Sequence, residues 1–190
     1  MRRWVGRILV LVLGVAGFFA VLFLLGHWAD VGVLRNQERY LVAVADIACP
    51  TPPGLEKADF LEQVRYYSHA QPANRLPERF SILEDGLEAK LTRAFAAHPW
   101  VEKVEQVALQ PPRAVEVKLT FRTPVLAVTV AGQTRAVDGH GILLPKSAPT
   151  ADLPLYAGRA APPRGGEGSP WGDPKVEQRA RELAKEPRTK

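Results

Sequence analysis

Ile8 to Gly26 runs for nineteen residues without a charge (ILVLVLGVAGFFAVLFLLG), the longest apolar run in the chain. As a helix it would extend about 28 Å, close to the thickness of a bilayer's hydrocarbon core. Arg2, Arg3 and Arg7 precede it with no acid among them, whereas Asp30, Arg35, Glu38 and Arg39 beyond it balance. That asymmetry predicts a membrane helix over 8–28, a cytoplasmic tail over 1–7 and the bulk of the chain outside, in the periplasm or its equivalent. Trp4 and Trp28 bracket the run as interfacial aromatics. A cleaved signal peptide would have a shorter apolar stretch and a tidier small-x-small site than Gly26-His27-Trp28-Ala29-Asp30 offers.

Later periodicities are those of a folded domain. Tyr40 to Ile47 is apolar and β-prone, and Pro50, Pro52, Pro53 and Gly54 end it: a strand, then a turn. Phe60, Leu61, Val64 and Tyr67 share one face of a helix that Asp59 can cap. Ser81-Ile82-Leu83-Glu84 has the form of a capping box. After it Leu83, Leu87, Leu91 and Phe95 repeat every four residues until Pro99.

Val101 to Leu109 carries valines at 101, 104 and 107, too irregular for one clean face, which predicts a bulge. Ala114 to Arg122 alternates strictly: Val115, Val117, Leu119 and Phe121 against Glu116, Lys118, Thr120 and Arg122. The order β-α-α-β-β predicts an α+β domain over 39–124, with two helices on one face of a small sheet. Further strands at Val125–Val130, Arg135–Val137 and Ile142–Leu144, joined by Gly-containing turns, predict a partial β-meander over 125–158.

Composition alters the picture mainly at the C-terminus. Eight of the seventeen prolines fall between Pro145 and Pro187, around Arg164-Gly165-Gly166-Glu167-Gly168-Ser169-Pro170. Few large apolar groups accompany them, so residues 159–190 are expected to be extended or disordered. Val176 to Lys185 is a short helix at most, its apolar side limited to Val176, Ala180, Leu183 and Ala184. Cys49 is the only cysteine, which excludes an internal disulfide and a cysteine-rich zinc site. The net charge of +5 is dispersed among acids, so nucleic acid is not an expected partner.

Several blocks, in order, resemble the FtsQ/DivIB cell-division family. Leu83 to Leu91 followed by Pro99-Trp100-Val101 is similar to its leucine helix and "PWV" junction. Val107-Ala108-Leu109, Pro111-Pro112 and Val115-Glu116-Val117 are similar to its strand pair. Arg122-Thr123-Pro124-Val125 resembles its "R-x-P-v", Val137-Asp138 with Gly141 its "v-D-x-x-G", and Leu153-Pro154-Leu155 with Gly158 its "L-P-x-L-x-G". The resemblance covers about Tyr40 to Gly158 and implies a membrane anchor, a POTRA domain and a β domain. It implies a non-enzymatic scaffold in septal assembly, with other membrane cell-division proteins and the lipid bilayer as partners. A POTRA-like adaptor or chaperone in envelope assembly or export is the alternative. The family has glycine after its first POTRA strand, where this chain has Cys49-Pro50. Its β domain also continues past "L-P-x-L-x-G" through several strands, so the resemblance implies a truncated, divergent or incompletely defined relative.

The residues suggest no catalytic set, cofactor, metal or small-molecule substrate. His27 falls at the predicted membrane edge, and His98 precedes Pro99 in a helix-ending turn. His140 shares a turn with Asp138, too few ligands for zinc. Ser68-His69 lacks a third orienting group, and Glu84-Asp85 suits the start of a helix. Binding is the better expectation. The expected edges for an added partner strand are Val125, Val128 and Val130 in one strand and Ile142 and Leu144 in another.

Overall fold

A computed structural model describes residues 14–23, 37–69 and 75–186 of the 190-residue chain. Residues 14–23 form helix α1. Among the described residues no helix is long and apolar enough to cross a membrane. The transmembrane helix expected over 8–28 is thereby corrected, and so is the single-pass inner-membrane localisation that rested on it. Residues 1–13 and 24–36, including His27 and Trp28, lie outside the described residues.

The fold is α+β. Strand β1 (Leu41–Ala43) pairs antiparallel with β2 (Arg79–Ser81). The strand expected over 40–47 is short because its buried positions change period. Val42 and Val44 are two apart, as on a strand, but Ile47 follows three later, and a 3-10 turn over Val44–Asp46 turns it inward. Ala48 then makes one parallel bridge to Glu116. Helix α2 (Lys57–Ser68) buries Phe60, Leu61 and Val64, three of the four positions its periodicity marked.

Helix α3 (Leu87–Ala96) begins later than the capping box suggested. Ser81 ends β2, and its Oγ accepts the Leu83 amide, forming a tight turn instead of a cap. Glu84 pairs with Lys90 Nζ at 2.8 Å. Gly86, at φ +71°, holds a left-handed conformation that few side chains adopt, and the helix starts beyond it. Leu87, Leu91, Ala94 and Phe95 then form the buried stripe.

Strands β3 (Val101–Gln110) and β4 (Ala114–Phe121) form an antiparallel ladder with register shifts at Val101/Lys103 and Val104/Gln106. These shifts reconcile the irregular valine spacing of β3 with the strict alternation of β4. Val107, Val115 and Val117 join both helix stripes in the core of the first unit.

Strands β5 (Pro124–Val130) and β6 (Gln133–Asp138) form a hairpin whose turn residues, Ala131 and Gly132, both have positive φ. Pro154–Tyr156 lies along β5, with Ala127 donating to Pro154 O at 2.9 Å and Tyr156 donating to Ala127 O at 2.8 Å. Residues 142–144 run beside β6, and residues 168–170 beside those.

Residues 159–186, expected to be disordered, are folded onto this hairpin. Helix α4 (Pro174–Lys185) lays Val176 and Ala180 against a core containing Val125, Val128, Val137 and Leu143. Its N-cap, Asp173, accepts the Lys175 amide at 3.0 Å. Trp171 is fully buried, and its Nε1 donates to Ala161 O at 2.9 Å. One tryptophan and a capped helix supply the burial that the Pro/Gly composition otherwise lacks.

Candidate functional site at the seam between the two units

The first unit meets the hairpin unit along a seam built from the ends of β3, β4 and β6. The loop leaving α3 brings His98, Pro99 and Trp100 into the interior, all buried. Trp100 packs with Ala136, Leu144 and Ala148, and with the half-buried Phe121 and Leu153. One apolar cluster therefore draws on both units and on the 142–153 connection.

Beside it lies an ion pair. Arg122 Nη1 stands 2.8 Å from Asp138 Oδ2, and the Asp138 side chain is only 2% exposed. Asp138 Oδ1 accepts the amides of His140 at 2.9 Å and Ile142 at 2.8 Å. A carboxylate so placed has its charge and lone pairs satisfied without water. The same group thus closes the 138–142 turn and ties it to the strand exit of the first unit. Gly141, at φ +83°, sits where α4 passes closest: a Cβ there would lie 2.6 Å from Glu177 Cγ. The glycine lets the helix approach.

A second link uses Glu167. Its Oε1 accepts from Arg135 Nη2 at 2.8 Å and from the Lys146 amide at 3.1 Å, and its Oε2 accepts from Tyr67 OH of α2 at 3.3 Å. The Tyr67 hydroxyl titrates above its ordinary value, first because it is partly buried and then because Glu167 is near. No sequence pattern singled out Glu167, set as it is within a glycine-rich stretch.

The motif residues largely converge on this seam. Pro99, Trp100, Val101, Arg122, Asp138, Gly141 and Leu153 lie in it or against it, and Pro124 opens β5 next to it. Pro154 contributes its carbonyl to β5, and Gly158 folds close under the Tyr156 ring. Their visible roles are packing and bonding. The expected docking edges are a different matter. Val125 and Val128 are buried within β5, which is flanked by β6 on one side and Pro154–Tyr156 on the other, and Val130 is half-buried. Ile142 bridges Pro170, Leu143 donates to Ser169 O, and Leu144 donates to Ala136 O. The 142–144 edge is therefore covered by residues 168–170, because the C-terminal residues fold back instead of trailing away, while the outer side of β5 is paired by the chain itself at Ala127.

The other chemistry-bearing residues are taken up structurally. Ser68 Oγ donates to Arg65 O and accepts the Leu76 amide, and His69 is the C-cap of α2. His140 faces Glu102 at 3.2 Å in an exposed pair. A cleft of about 340 Å³ beside that pair is lined by Thr123, Val125 and Leu183 among others. Among the described residues no group of three or more His, Cys, Asp or Glu side chains could hold a metal ion.

Among the described residues His98 is the most perturbed titratable group. It is 1% exposed, in edge contact with the rings of Phe60 and Tyr67. Nδ1 accepts the Trp100 amide, and Nε2 faces Gln63 Oε1 at 3.2 Å, which assigns the proton to Nε2. Burial lowers its pKa from 6.5 to about 4. The folded state thus refuses a proton that the unfolded chain accepts between those values. The stabilisation is complete above pH 6.5 and is lost as pH falls towards 4, by up to about 3 kcal/mol. Urea unfolding at pH 7 and pH 4 should show the loss, and His98→Asn should remove that share of the pH dependence. Equal pH slopes for the two proteins would refute it.

Comparison with protein-family models, with characterised proteins and with solved structures finds no match to this chain.

Proposed function

We propose that this chain is a non-enzymatic docking module that acts in septal assembly, in the manner of the FtsQ/DivIB family it resembles in sequence. The observation that carries the reading is the Arg122–Asp138 pair. A residue of the "R-x-P-v" block bonds to a residue of the "v-D-x-x-G" block at 2.8 Å, so two stretches that resemble the family form one structural joint. Trp100, from a third block, packs beside Leu153, from a fourth. Locking the two units together gives a preorganised platform. Partner proteins then bind it without the entropy cost of fixing the units relative to each other. Its partners in this reading are other division proteins.

A fluorescent fusion of the full chain in dividing cells tests the proposal. Enrichment at the septum is expected. A signal spread evenly around the envelope through the division cycle would overturn the septal role and favour an adaptor in envelope assembly or export.

A further inference from the structure

Strand β4 is completed along only part of its outer side. Ala48 donates to Val115 O at 2.9 Å and accepts from the Val117 amide at 2.8 Å, the first rungs of a parallel ladder. The next rung requires residue 50 to donate to Val117 O. That residue is proline, which has no N–H, so the pairing stops after one bridge. Alternate residues of a strand turn their backbone groups to the same side. The Val117 carbonyl and both backbone groups of Leu119 therefore point outward along this side. No hydrogen bond from them to a described residue accompanies the Ala48 bridge. The space beside them is a cleft of about 360 Å³ bounded by Cys49, Pro50 and Leu119.

The surroundings specify what fits. The cleft's inner side is apolar: Val117 is fully buried, and Cys49 and Leu119 pack against the first unit's core. Lys118 lines the outer side, and Lys57 lies within electrostatic reach of Cys49. Neither lysine has an ion-pair partner among the described residues. Glu116, the one acid lining the cleft among the described residues, stands opposite Ala48, in the part of the strand already paired.

We propose that the open half of β4 accepts an extended segment of another protein as an added strand beside Leu119, its inward side chains apolar and its outward ones acidic. Backbone bonds to Val117 O and Leu119 would supply affinity, and the lysines would select charge. This rests on the docking reading above but can fail separately, because the experiment reads one strand edge and not recruitment to the septum.

The probe is a synthetic peptide of alternating valine and glutamate, compared with one of alternating valine and lysine, both added to the full-length chain. Amide hydrogen exchange is followed by NMR. In the free chain the Leu119 amide should exchange quickly. The glutamate peptide should slow it about tenfold or more while leaving the already bonded Val117 amide unchanged. Lys118→Glu, a surface change, should weaken that peptide about tenfold without altering the unfolding midpoint. Protection of Leu119 in the free chain would overturn the proposal, since a second copy or another part of this chain would then fill the edge. Equal protection by the two peptides, or protection only at another strand, would overturn it too.

Discussion

Asp138→Ala is expected to lower the unfolding free energy by about 3–5 kcal/mol, the cost typical of removing one partner from a buried charge pair. Two separate losses contribute. Arg122, whose side chain is 18% exposed, keeps its charge without a counterion, and the amides of His140 and Ile142 lose their acceptor. Asp138→Asn separates them. The amide oxygen can still accept from the turn, so this variant should cost less than the alanine change and mainly report the ion pair. Arg122→Ala should cost less in the Asp138→Ala background than alone, because its partner is already gone. Urea denaturation of the four proteins gives the cycle. A loss under about 1 kcal/mol for Asp138→Ala would mean the pair behaves as a surface bridge, and the seam would not be the rigid joint on which the docking reading depends.

Those partners show how far sequence carries a functional site. Arg122 and Asp138 could each be picked out by the local pattern around them. Nothing in their separation says that they touch. Contact arises because β5 leads away from the first unit and β6 returns, placing the end of one strand beside the start of the other. Glu167 had no local signal at all. It acts because three segments deliver Tyr67, Arg135 and Lys146 to it.

Where one face of an element is buried and the other wet, the reading from sequence holds. β4 alternates in sequence and alternates in burial over residues 114–118. The stripe Leu87, Leu91 and Phe95 is buried as its spacing implies. Errors arise where a local signal competes with the chain's path. Ser81-x-x-Glu84 is a good capping box, but Gly86 and the pairing of β2 make it a turn that precedes the helix. The length of the apolar run from Ile8 predicts a span, whereas among the described residues no helix is long and apolar enough to cross a membrane. Pro50 carried a usable signal: a proline directly after a strand-like run forecasts a ladder that cannot continue on that side.

Composition underrates the C-terminal stretch because it averages over residues whose effects are unequal. Its prolines and glycines are numerous, but Trp171 alone provides a large apolar body at the centre of the hairpin unit. Trp171→Ala is expected to destabilise that unit by about 3–5 kcal/mol, the range for removing a large buried aromatic. The consequence should be local first. Trp171 donates its backbone amide to Gly141 O and accepts from the Arg164 amide, so it pins both the 138–142 turn and the loop before α4. Without the indole, Val176 and Ala180 keep too little burial to hold a twelve-residue helix, since isolated helices of this length are marginal in water. Trypsin should then cut the variant at Arg179, Arg181 and Lys185 well before it attacks the first unit, and far-UV circular dichroism should lose the corresponding helical signal. Trp171→Phe, which retains apolar volume but not the bond to Ala161 O, should fall between. If Trp171→Ala resisted trypsin as well as the parent protein does, α4 would be held by something other than this core. The covering of Ile142–Leu144, and with it the exclusion of that strand as a docking edge, would then lose its physical basis.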